Sequence, residues 1–120
     1  MTHQVLVTPS RKEAIRETGG RVSNAVADLL TFYCSYDLAK YGMEGGPLHD
    51  PCVIAHLIDP TLFTLKHVHV AVETSSELTL GQTVADWWTV TDQTPNCHVA
   101  DQVEDDRFFT LLNERLARLP

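Results

Sequence analysis

The chain has 120 residues, 43% hydrophobic and 21% charged, which is the balance of a single soluble globular domain and excludes a disordered tail. Nine Lys and Arg against sixteen Asp and Glu leave a net charge of -7, which opposes binding to phosphate backbones, so nucleic acid is not the expected partner. No apolar run nears the ~20 residues that span a bilayer, the N-terminus lacks the pattern of a signal peptide, and Cys34, Cys52 and Cys97 form no CxxC pair; neither membrane insertion nor export is expected, and the thiols read as reduced ones in a cytoplasmic protein.

Residues 4–8, QVLVT, form a short β-branched run ended by Pro9, the pattern of a strand leaving a sheet. Ser10 with Glu13 fits a capping box, so a helix is expected over about 11–17, stopped by Gly19 and Gly20. From Ser23 to Tyr41 the residues Val26, Leu29, Leu30, Tyr33 and Cys34, continued by Leu38 and Tyr41, recur at helical spacing until Gly42, and they make the expected buried face of a long helix.

A glycine-rich loop, Gly42 to Pro47, delivers the chain to His49 and Asp50. Pro51 suits a first helical turn, and Asp50 is then the expected N-cap of a helix running to Ile58 and ended by Asp59 and Pro60. Val68, Val70 and Val72 alternate with polar neighbours, which predicts a half-buried strand. A second strand over about 83–90, after a turn at Gly81, completes an antiparallel hairpin in which Trp87 and Trp88 face opposite sides. Cys97 to Ala100 is a further short strand, and Phe108, Phe109, Leu112, Leu116 and Leu119 mark a closing amphipathic helix whose acidic start, Glu104 to Asp106, suits the positive end of its dipole. The expected architecture is one α/β domain over residues 1–120 with an antiparallel appendage.

His49 is neither a favoured cap nor a favoured core residue, and imidazole is the side chain best suited to moving protons near neutral pH. His49, Cys52 and His56 are spaced by three and four, so a zinc site is one alternative, weakened by Pro51, with Cys52 and His56 as packing residues the other. His67 and His69 share one face of a strand and read as solvated decoration rather than metal ligands.

Three segments, THQVLVTP at 2–9, GGPLHDPCVIAHLIDPTLF at 45–63 and VETSSELTLGQTVADW at 72–87, together resemble the C-terminal part of the inosine-uridine preferring nucleoside hydrolase family. DQVEDDRFFTLLNERL resembles its final helix. The resemblance implies part of a Rossmann-like sheet with flanking helices and a calcium-dependent enzyme that hydrolyses the N-glycosidic bond of ribonucleosides. It places His49 by the leaving base, Asp50 on calcium, and Tyr33, Tyr36 and Tyr41 in the stretch that lines the base pocket.

The chemistry agrees, because cleaving such a bond builds an oxocarbenium-like sugar and needs a protonated leaving group and an activated water. The family's D-x-D-x-x-x-D-D cluster and N-x-T-x-x-x-E-F-N segment do not occur in this chain. The isolated chain is therefore expected to be a weak catalyst or none, and to need a complementing N-terminal chain or a homo-oligomer. A non-catalytic interaction module that keeps part of the fold is the alternative.

Overall fold

Pro9 has no amide hydrogen to lose, so the first helix starts on it. In the computed structural model, which describes residues 1–120, α1 spans Pro9–Glu17, and the Thr8 hydroxyl caps it by accepting from Arg11 N at 3.3 Å. The cap is thus Thr8, not Ser10, and the helix begins two residues before the expected position. Gly19 adopts φ +77, a conformation that favours glycine, and α2 follows over Gly20–Tyr41. It ends on Gly42 in the left-handed region, whose amide donates to Leu38 O.

Two short strands, β1 (Leu6–Val7) and β2 (Gly46–Pro47), pair antiparallel, with Leu6 opposite Pro47 and Val7 opposite Gly46. The helix α3 covers Asp50–Ile58, and a single 3-10 turn, Pro60–Leu62, capped by Asp59, leads into β3 (Phe63–Val68). After β4 (Val70–Val72), β5 (Thr83–Ala85) and β6 (Cys97–Val103), α4 closes the chain over Asp105–Leu116. The result is the expected α/β mixture, with strands in three two-stranded pairs, β1 with β2, β3 with β6, and β4 with β5. No helix is long and apolar enough to cross a membrane.

Contacts divide the chain into two compact units. The first, Met1–Phe63 with Gln102–Pro120, holds all four helices. Its core gathers Val5, Val7, Cys34, Leu48, Cys52, Ala55, Leu62, Phe63, Phe108 and Phe109, and beside it Ile15, Ala27 and Leu116 form a smaller cluster. Of the expected face of α2, Cys34 is buried and Val26 and Leu30 pack against the core, while Leu29, Tyr33, Leu38 and Tyr41 are exposed; Ser23 and Ala27 complete the buried side. Close approach selects small side chains: a methyl group on Gly46 would lie 2.8 Å from Cys34 Sγ. Arg11 ties three parts of this unit together by donating to Leu6 O, Asp105 and Asp106 while its guanidinium lies 4.3 Å from the Phe109 ring centroid.

The second unit, Thr64–Asp101, contains the expected hairpin, with Val70 opposite Ala85 and Val72 opposite Thr83. The predicted strand through 68–72 is broken at His69, whose Nδ1 meets Thr94 O at 3.0 Å. The second hairpin strand stops at Ala85 because Asp86 turns the chain, accepting from Val90 N, Thr91 N and the Thr91 hydroxyl. Strand alternation therefore does not reach the tryptophans. Trp87 and Trp88, expected on opposite sides, both lie within 5.2 Å of the Lys66 ammonium, which also donates to Trp87 O. His67 stacks on His98 with centroids 4.3 Å apart, so its neighbour is across the strand pair and not His69.

Candidate active site

The backbone that carries His49 and Asp50 is held against β1. Leu48 N donates to Val5 O, and a Cβ on Gly45 would collide with the Val7 carbonyl, so only glycine lets the loop pass there. Leu48 and Cys52 anchor the segment in the core, and Cys52 Sγ donates to Leu48 O at 3.1 Å. His49 and Asp50, between these buried anchors, are both exposed.

His49 occupies the cap position of α3, and Asp50 is the first helical residue; neither side chain bonds to the helix amides. The expectation that Asp50 caps α3 is thereby corrected. Its carboxylate still favours the positive helix end from the first turn, but its oxygens are not consumed by capping. His49 Nδ1 meets the Thr2 hydroxyl at 2.8 Å, and the ring lies 5.8 Å from that of His3. With Nδ1 engaged, Nε2 is the nitrogen left for a ligand.

Two adjoining clefts meet at His49. One, of about 310 Å³, is lined by Leu29, Leu30, Tyr33, Leu48, His49, Asp50 and Pro51. The other, of about 660 Å³, is lined by Leu29, Phe32, Tyr33, Ser35, Tyr36, Asp37 and His49. Tyr33 belongs to both and donates its hydroxyl to Pro47 O at 3.1 Å. Partial desolvation, followed by the negative charges of Asp37 and Asp50, raises its phenol above the ordinary value, so it stays a donor.

Of the three tyrosines singled out in the sequence, Tyr33 and Tyr36 reach the clefts. Tyr41 does not line them; it packs edge-on to Tyr36 with centroids 6.2 Å apart, and the Lys40 ammonium lies near both rings. Phe32, 82% exposed, and Leu29 are lining residues that sequence reading missed or assigned to the core. The signal was present: Leu29, Phe32, Tyr33 and Tyr36 recur at three- and four-residue steps on one helix face.

The zinc alternative requires His49, Cys52 and His56 to converge, and they do not. Cys52 is buried with its thiol raised by that burial, His56 packs edge-on against Phe63, and no group of three or more His, Cys, Asp and Glu is placed to hold a metal. Calcium, implied by the resemblance, asks for about six to eight oxygens. Asp50 supplies two, and with Asp37 on the other cleft no third such group joins them, so the residues present do not fit a self-contained calcium site.

The family model of the inosine-uridine preferring nucleoside hydrolases matches residues 1–110. Pyrimidine-specific ribonucleoside hydrolase RihA of Klebsiella pneumoniae is 41% identical over 118 residues, which are 98% of this chain and 38% of the relative. A plant nucleoside hydrolase superposes with a TM-score of 0.81 at 26% identity, covering 98% of this chain and 39% of that one. The purine-preferring ribonucleoside hydrolase from Gardnerella vaginalis superposes with a TM-score of 0.77 at 28% identity, covering 99% and 39%. The chain thus spans about two fifths of the length of the relatives it matches. With a family match over nearly the whole chain and the same backbone course as two solved members, this chain belongs to the inosine-uridine preferring nucleoside hydrolase family.

Proposed function

We propose that this chain carries the leaving-group side of a ribonucleoside hydrolase site, which splits the N-glycosidic bond to ribose and free base. The observation that supports this reading is that His49, Asp50 and Tyr33 line one cleft at the start of α3 while the core anchors Leu48 and Cys52 fix the backbone beneath them. His49 donates a proton from Nε2 to the departing base, with Nδ1 held by Thr2. Phe32, Tyr33 and Tyr36 give the base apolar and aromatic surface. The names of the relatives give pyrimidine preference in one and purine preference in another.

Asp50 would supply one carboxylate to a calcium ion, and the remaining oxygens and the water-activating base would have to come from a complementing chain or a second copy. The free thiols Cys34, Cys52 and Cys97 suit the reducing cytoplasm.

The test is ribose release from inosine, uridine, cytidine and adenosine with calcium, by this chain alone and with the complementary portion of the Klebsiella relative. Turnover is expected only in the mixture, falling about 10²- to 10⁴-fold in His49→Ala with KM little changed. Equal turnover by the His49→Ala protein would remove the histidine from the mechanism. Ribose release by the chain alone would remove the need for a partner.

A further inference from the structure

The hydroxyl of Thr2 has one hydrogen-bond partner in the fold, His49 Nδ1 at 2.8 Å, across forty-seven residues of chain. Thr2 opens the 3-10 turn Thr2–Gln4, and that turn is fastened from three directions. Val5 N donates to Thr2 O at 3.0 Å, Gln4 Oε1 accepts at 3.1 Å from the amide of Val103, the last residue of β6, and Met1 packs on the core. Val5 is fully buried, and its carbonyl accepts from the amide of Leu48, the residue before His49. One backbone contact therefore sets the hydroxyl and the imidazole against each other. The segment THQVLVTP, so far without a role at the site, supplies that hydroxyl.

We propose that Thr2 is a positioning residue that turns the His49 ring and fixes its tautomer, the hydroxyl oxygen accepting from Nδ1–H so that Nε2 is the nitrogen that delivers a proton to the leaving base. The inference rests on the reading of His49 as the proton donor to that base. A histidine that protonates a leaving group starts with a hydrogen on each nitrogen, and both nitrogens can then only donate. The hydroxyl facing Nδ1 must accept. As the glycosidic bond breaks, its electron pair leaves with the base, which takes the Nε2 proton, and the N–H electron pair stays on the ring. The neutral imidazole then carries its remaining hydrogen on Nδ1, in the bond to Thr2 that was there before. Neither the ring nor the hydroxyl has to turn. With Thr2 donating to Nδ1 instead, that bond would have to be remade in every cycle.

Nitrogen chemical shifts of the imidazoles, measured by NMR on the isolated chain with neutral rings and assigned through His49→Ala, read the tautomer without any turnover. His69 is the internal standard. Its Nδ1 meets the Thr94 carbonyl at 3.0 Å, and a carbonyl only accepts, so its neutral ring holds the hydrogen on Nδ1. Neutral His49 is expected to match His69, to keep that form in Thr2→Ser and to lose it in Thr2→Val. In the mixture with the complementary portion of the Klebsiella pneumoniae relative, Thr2→Val should lower kcat about 5- to 10-fold with KM little changed, and Thr2→Ser should restore it. A hydrogen on Nε2 of neutral His49 in the unaltered chain, a tautomer indifferent to Thr2→Val, or an active mixture whose kcat ignores that variant would each overturn the proposal. A tautomer that follows Thr2 in a mixture that releases no ribose would leave the positioning contact standing and refute the hydrolase reading instead.

Discussion

Arg11 is the side chain whose removal should cost unit 1 most for a residue outside the core. Its Nη2 reaches Asp105 at 2.6 Å and Asp106 at 2.8 Å, and Nη1 donates to Leu6 O at 3.1 Å. The contributions are unequal. Asp106 is 97% exposed, so its pairing is screened by water and adds little. Asp105 is 40% exposed against 19% for the arginine, a setting in which an ion pair is worth about 0.5–1 kcal/mol. The hydrogen bond to the strand carbonyl adds about 1 kcal/mol. The guanidinium over Phe109 adds about 0.5–1 kcal/mol. Arg11→Met keeps the aliphatic stem and removes the rest, so the expected loss is about 2 kcal/mol.

Urea unfolding followed by far-UV circular dichroism is the suitable assay, since all four helices lie in the same unit as Arg11. Arg16→Met is the internal control. Its partner Asp28 is 71% exposed, so a change of about 0.5 kcal/mol or less is expected despite the 2.6 Å contact. Equal losses in the two variants would mean that Arg11 contributes no more than a surface ion pair, and the three-way tie between β1, α1 and α4 would have to be abandoned.

Gly45→Ala should cost about 2 kcal/mol or more and loosen the loop bearing His49, because the added methyl meets the Val7 carbonyl and comes within 2.9 Å of Thr8 N, all backbone atoms that cannot swing aside. Gly42→Ala, which meets open space but needs φ +63, should cost only about 1 kcal/mol, and the two are compared by urea midpoint. Glu73, held down to about 2 by the Ser75 amide, the Ser75 hydroxyl and the Ser76 amide, stabilises its turn at pH above the ordinary carboxylate value near 4.5. Because the folded-state pKa is the lower one, that contribution disappears as pH falls from about 4.5 to about 2, so the protection of the Ser75 and Ser76 amides, measured against their intrinsic exchange rates, should fall across that window and Glu73→Gln should flatten the dependence.

Elements with strong local signals were readable from sequence. The long helix ending at Gly42, the hairpin around Gly81 and the closing helix after the acidic run at 104–106 stand where periodicity and caps put them. Misplaced features were those that tertiary contact decides. Thr8 and Ser10 are both adequate caps by type, and the choice fell to Thr8 because Pro9 occupies the first helical position. The tryptophans lost strand alternation to an Asp86 turn whose three accepted hydrogen bonds cannot be anticipated from hydrophobic spacing. The motif singled out His49 and Asp50 from sequence, but only the fold shows that Tyr33 lines both clefts and Tyr36 the one with His49, while Tyr41 lines neither.

The largest disagreement, over which side of α2 is buried, carries the most information. Spacing predicted a core face through Val26, Leu29, Leu30, Tyr33, Cys34, Leu38 and Tyr41; Cys34 is buried and Val26 and Leu30 pack on the core beside Ser23 and Ala27, yet Leu29, Tyr33, Leu38 and Tyr41 turn outward with Phe32 and Tyr36. Small residues are required where α2 meets the Gly46 backbone, so the rule that large apolar side chains lie inside is displaced locally by the distance between chains. The large ones then remain to be explained by another surface. On α2 they line the clefts at His49, and on α3 Ile54 and Ile58 line a groove shared with Asp50 and α4. Exposed apolar surface thus flanks both members of the His49–Asp50 pair.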